Sequence, residues 1–122
     1  MQFSEDKTSA QYVITEYLSD AVMINGETYQ DSLIISNNQL ILDVPIHSVT
    51  ELEPSSLSQV IELLPEVLLL GTGEKIEFPH PTIAAYLSQH RIGLETMDHS
   101  AACRTFNILA AEGRQVCALL LM

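Results

Sequence analysis

The sequence predicts an α/β domain. Its first half reads as an antiparallel β meander and its second half as strand, helix, strand, helix, strand. Three observations predict this. The chain has 122 residues, 47% apolar and 17% charged, which suits one domain with a core of its own rather than a disordered chain. Short β-prone segments broken by Asn25-Gly26 and Asn37-Asn38 fill the first half. Two runs that are apolar at every position, residues 67–70 and 116–121, alternate with stretches of helical period in the second.

The elements follow in order. Residues 1–10 are expected to fray. Residues 12–18, with Tyr12, Val13, Ile14 and Tyr17, form the first predicted strand. Asn25-Gly26 is a strong turn signal after residues 21–24. Residues 32–35 and 39–42 flank Asn37-Asn38 and predict a tight hairpin, since Asn tolerates positive φ. From Ser55 the period changes. Ser55 or Ser56 can cap a helix through Leu57, Val60, Ile61 and Leu64, which Pro65 ends. Residues 67–70 then form a strand buried on both faces, as in the middle of a parallel or mixed sheet. Pro81 opens a helix to about His90, and Gly93 ends it and leads into a strand over residues 94–97. Asp98 or Ser100 caps a last helix that Gly113 terminates, before the final strand at 116–121. This alternation predicts parallel neighbours joined by crossovers.

Charge and cysteines narrow the function classes. There are 16 acidic and 5 basic residues, a net charge of −11, which argues against nucleic acid or an anionic membrane surface as partner. Eleven of the acidic side chains precede Val67, with a single lysine among them. That asymmetry fits a carboxylate-solubilised surface or one that steers a basic partner. No apolar run reaches the ~18 residues of a membrane span, and the N-terminus resembles neither a signal nor a transit peptide. Two cysteines, Cys103 and Cys117, suit free thiols in a reducing cytoplasm better than a disulfide framework.

One candidate pocket emerges. Parallel strands end on a common edge, where ligands usually bind. That edge would gather Gly71, Thr72 and Gly73 after one strand, and Met97, Asp98 and the start of the last helix after the next. The helix N–H groups there could hold an anion. At ~100° per residue, Ala101, Ala102, Thr105, Phe106, Ile108 and Leu109 share an apolar face, and Ser100, Cys103, Arg104 and Asn107 an opposite strip. The strip faces either a cleft or plain solvent. Cys103, near the helix start and beside Arg104, is either an activated thiol or a small buried one. Arg104 is either an anion ligand or a salt-bridge partner, and Asp98 is most simply an N-cap. Gly71-Thr72-Gly73 lacks the spacing of a phosphate-binding loop and reads by default as a tight turn. His99 and Cys103 stand four apart, but two ligands do not make a metal site. His80, between two prolines, is explained by a stiff loop. No metal or cofactor is expected.

Several segments together carry a family resemblance: Leu68-Leu69-Leu70-Gly71-Thr72-Gly73, Phe78-Pro79, Gly93-Leu94-Glu95-Thr96-Met97-Asp98, residues 101–109 and Glu112-Gly113-Arg114. They resemble the domain of mitochondrial complex I assembly factor 3 and its bacterial and archaeal relatives, a domain of unknown function. The match is dense over residues 67–122 and general over 12–66. The resemblance implies a compact single domain of three layers and, for the mitochondrial members, assembly of a respiratory membrane complex through protein contacts. It implies no catalytic activity. The motif positions it carries over are Gly71, Thr72, Gly73, Met97, Asp98, Cys103, Arg104 and Asn107. The chain departs at His99, where Thr is more usual, and in having no presequence, which fits a bacterial cytoplasmic member. The leading expectation is a non-enzymatic module that binds a protein partner. The alternatives are a small-molecule or anion-binding protein, or small enzyme, with a Cys103/Arg104 cleft, and a structural homo-oligomer.

Overall fold

The computed structural model describes residues 11–18 and 20–122, so the fraying expected of residues 1–10 lies outside the described residues. Strands β1 (Ile14–Leu18), β2 (Ala21–Ile24) and β3 (Glu27–Tyr29) form a small antiparallel sheet in that order. The β2–β3 turn is Asn25-Gly26, with φ of 49° and 90°. Positive φ at both central residues is what a two-residue hairpin of matching twist requires.

The predicted meander does not continue past β3. Strand β4 (Leu33–Ser36), with its short partner β5 (Leu40–Ile41), leaves the small sheet and joins a five-stranded one. There β4 pairs antiparallel with the C-terminal strand β8 (Val116–Leu120). Burial explains the departure. Leu33, Ile34 and Ile35 are at most 1% exposed and need cover on both faces, whereas β3 is Glu-Thr-Tyr and stays at the surface. Nor does the β4–β5 turn use positive φ at Asn37 or Asn38. Ser36 and Gln39 close it: the Ser36 amide donates to the Gln39 carbonyl (2.8 Å) and the Gln39 amide to Ser36 Oγ (3.1 Å). Asn37 instead faces inward, donating to the Arg114 carbonyl (2.7 Å) and accepting from the Val116 amide (2.9 Å).

The second half follows the predicted alternation: β6 (Val67–Gly71), α2 (Pro81–Gln89), β7 (Gly93–Met97), α3 (His99–Ala111), then β8. Strand order is β5-β4-β8-β6-β7, with β6 parallel to both β7 and β8, so the sheet is mixed. The helix expected from Ser55 begins as a 3-10 turn at Pro54–Leu57, where Glu53 and Ser56 cap each other, and continues as α1 (Ser58–Leu63). Leu64, at φ 52°, stops it before Pro65. Arg91, at φ 63°, reverses the chain after α2, not Gly93, which is the first residue of β7.

Side chains along β6 alternate between two cores. Leu68 and Leu70 pack under α1 and α2 with Leu57, Val60, Ile83 and Leu87. Leu69 packs on the other face with Ala102, Cys103, Phe106 and Ala110 of α3, joined by Ile14, Val22 and Ile24 of the small sheet. This gives three layers: α1 and α2, the mixed sheet, then α3 with the small sheet. It is a mixed α+β domain with two sheets and three α-helices among the described residues.

Candidate functional site

The parallel strands β6, β7 and β8 end together, with Gly71 level with Met97 and Leu120. Two backbone hydrogen bonds tie the glycine segment to the start of α3. The Thr72 amide donates to the Met97 carbonyl (3.0 Å), and the His99 amide donates to the Gly73 carbonyl (2.8 Å). Asp98, not Ser100, is the N-cap: its Oδ1 accepts from the Ala101 amide at 2.8 Å. Beside this junction lies an open depression of about 320 Å³, lined by Tyr17, Leu18, Gly73, Glu74, Asp98, His99 and Ser100.

Of the eight residues singled out from sequence, Gly73 and Asp98 line that depression. Gly71 lies beneath α3. A Cβ there would meet Leu120 Cδ2 at 3.0 Å and Ala102 Cβ at 3.2 Å, so its role is close packing of helix on sheet. Met97 packs against the α3 core. Thr72 turns its hydroxyl to its own loop, donating to the Lys75 carbonyl (2.6 Å) and accepting from the Glu77 amide (3.1 Å).

The polar strip expected on α3 is not one face. Cys103 is fully buried, whereas Ile108, assigned to the apolar face, is 58% exposed. The buried stripe is His99, Ala102, Cys103, Phe106 and Ala110. Burial pushes the Cys103 thiol up to about 12 although Arg104 pulls it down. Desolvation of the charged form outweighs an exposed cation one residue away. Arg104 lies outside, donating to Ser100 Oγ (2.8 Å) and the Tyr17 hydroxyl (3.4 Å). Cys103 and Arg104 therefore share no cleft. Asn107 spends its amide on β1, accepting from the Ile14 N–H (3.0 Å) and donating to the Ile14 carbonyl (2.8 Å).

His99, read from sequence mainly as a departure from the family pattern, is 2% exposed. Its Nε2 lies 3.2 Å from the Ala21 carbonyl, and its Nδ1 is buried with no hydrogen-bond partner among the described residues. Adjacency to Asp98 could have flagged it. Nothing local could have placed Tyr17 and Leu18 at this rim. His80, in turn, caps α2 by accepting from the Thr82 amide (3.1 Å). A larger depression of about 490 Å³ is lined, among the described residues, by Thr28, Tyr29, Gln30, Asp31, Leu42 and Asp43, two of them carboxylates and none basic. Among the described residues, no three His, Cys, Asp or Glu side chains converge as metal ligands would.

Comparison with known proteins extends this picture. A family described as "Protein of unknown function (DUF498/DUF598)" matches residues 14–121. The chain is 34% identical over 118 residues to NADH dehydrogenase (ubiquinone) 1 alpha subcomplex assembly factor 3 of Danio rerio, covering 96% of this chain and 68% of that protein. The Xenopus tropicalis counterpart is 30% identical, and the chain spans 64% of its length. The "13 kDa major membrane protein" of Francisella tularensis subsp. holarctica is 28% identical over 122 residues, 99% of both chains. Among solved structures, a Bordetella parapertussis protein superposes with a TM-score of 0.86 at 32% identity, over 94% of this chain and 98% of its own. A Bordetella pertussis protein described as a Mth938-like domain gives 0.80 at 27% identity, over 99% of this chain and 92% of its own.

Proposed function

This chain belongs to the DUF498/DUF598 family, and from that premise we propose that it is a non-enzymatic module that binds a protein partner during assembly of a larger complex. The observation that carries the reading is the 34% identity, over 96% of the chain, to a relative named an NADH dehydrogenase assembly factor. The internal bonding supports it. Thr72, Asn107 and Cys103, three of the residues singled out from sequence, are engaged in holding the loop, the small sheet and the core. The partner in this reading is a subunit of a respiratory NADH dehydrogenase, met in the cytoplasm at the membrane face. Among the described residues no helix is long and apolar enough to cross a membrane, so the reading takes membrane association to come through that partner.

The test is deletion of the gene in its own organism. Membranes are then resolved by native electrophoresis and stained for NADH oxidation. A several-fold drop in the assembled complex, restored by a plasmid copy, is the expected result. An unchanged amount of assembled, active complex overturns the proposal.

A further inference from the structure

The loop between β6 and α2, residues 72–80, is anchored at both ends. At its start the Thr72 hydroxyl acts as a hub. It donates to the Lys75 carbonyl (2.6 Å), lies 3.2 Å from the Met97 carbonyl and accepts from the Glu77 amide (3.1 Å). At its end Pro79 and Pro81 fix their own φ, and His80 caps α2. Between these anchors Ile76 is 50% exposed and Phe78 is 79% exposed. Leu18, 66% exposed, lies beside Gly73 and Glu74 at the root of the same loop. Burying a side chain such as Ile or Phe is worth roughly 1.5–3 kcal/mol. This loop forgoes that gain at two positions while its backbone is held in place. Rigidly presented aromatic and aliphatic side chains of this kind are the usual anchors of protein interfaces.

The charges around the pair define what fits it. Glu77 stands between Ile76 and Phe78, Glu74 and Lys75 precede them, Lys75 is the sole Lys or Arg of the loop, and the whole chain carries −11. Two copies that each carry a net charge of −11 repel one another, so self-association on this surface is disfavoured. An apolar socket edged by Lys or Arg is the complement.

We propose that Ile76 and Phe78, presented by the Thr72 hub, are the recognition element of this protein, and that they insert into an apolar socket edged by basic residues on a partner protein. The inference rests on the protein-binding reading above and deepens it. Gly71-Thr72-Gly73 then acts as the base of a docking loop: Gly71 lets α3 close on the sheet, Thr72 sets the loop's shape, and Gly73 makes the turn at φ +98°. Thr72 is a positioning residue and does not itself touch the partner.

The experiment is affinity capture of the full chain from its own cells, run in parallel on five variants. All variants are first checked for unchanged circular dichroism and melting temperature, since residues 76 and 78 are exposed. Ile76→Ser with Phe78→Ser is expected to lower recovery of the wild-type partner at least tenfold. Thr72→Val is expected to do the same, Thr72→Ser to restore recovery, and Leu64→Ser, an exposed apolar site just after α1 (76% exposed), to change nothing. A fifth variant, Phe78→p-benzoylphenylalanine, is photocrosslinked and the attachment site mapped by mass spectrometry. Attachment beside Lys or Arg is expected, with recovery falling as salt rises. Equal recovery by wild type and the double variant, or attachment to an acidic or uncharged surface, overturns this inference and leaves the binding reading standing. If the wild type retrieves no partner, both fall.

Discussion

Replacing Asn107 by leucine removes a clamp between α3 and β1 while keeping the branching and heavy-atom count of the side chain. The amide accepts from the Ile14 N–H at 3.0 Å and donates to the Ile14 carbonyl at 2.8 Å. Ile14 itself is 3% exposed, so neither backbone group finds ready solvent once the amide is gone. Each lost hydrogen bond is worth about 1 kcal/mol net, and each buried group left unpaired adds ~1–3 kcal/mol. Asn107 is only half-buried, so water relieves part of that penalty, and the expected loss is roughly 2–4 kcal/mol. For a chain of this length that corresponds to a fall in melting temperature of roughly 6–16 °C. Asn107→Asp is expected to lose a similar amount, because it keeps the acceptor but turns an oxygen toward the Ile14 carbonyl. Urea titration measures the loss as a lowered midpoint at constant slope, and hydrogen exchange should show the Ile14 amide losing protection. A leucine variant within about 0.5 kcal/mol of wild type would refute the clamp.

Other perturbations test neighbouring features. Gly71→Ala drives a Cβ to 3.0 Å from Leu120 Cδ2 and 3.2 Å from Ala102 Cβ; a destabilisation of ~1–3 kcal/mol by urea titration is expected. Asp98→Ala removes the α3 cap and is expected to cost about 1 kcal/mol in the same assay. Both thiols are buried and raised from 9.0 to about 12, so iodoacetamide at pH 8 should label Cys103 and Cys117 equally slowly until denaturant is added. The same shifts set a pH dependence. Well below pH 9 the thiols are protonated in folded and unfolded chains alike. Between about 9 and 12 only the unfolded chain releases its protons, so stability falls with rising pH by up to about 1.4 kcal/mol per unit for each thiol. Alanine at both positions should flatten that part of the alkaline unfolding curve; an unchanged slope would show that the thiols do not contribute.

What the sequence disclosed divides by the range of the interactions involved. Asn25-Gly26, the Asp98 cap and the Gly113 stop were legible because their chemistry closes within a few residues. The apolar runs that became β6 and β8 announced burial on both faces, and hence central strands. The departure of β4 from the meander was not legible in the same way, because its partner β8 lies some eighty residues away. Asn37 and Asn107 were misread for the same reason: their amides bond backbone 77 and 93 residues distant, which no local pattern records. The error on α3 has a different cause. Ranking by hydropathy set Ile108 above Cys103, yet Ile108 is exposed and Cys103 is not. The contact beneath the helix runs over Gly71, where an added Cβ would already touch Ala102. The buried stripe of α3 keeps helical spacing, with Ala102 where the helix crosses Gly71 and Phe106 one turn further on, and Ile108 falls on the opposite side. The inner face of α3 is therefore marked by helical phase, read from residues spaced three and four apart, better than by ranking single side chains on hydropathy.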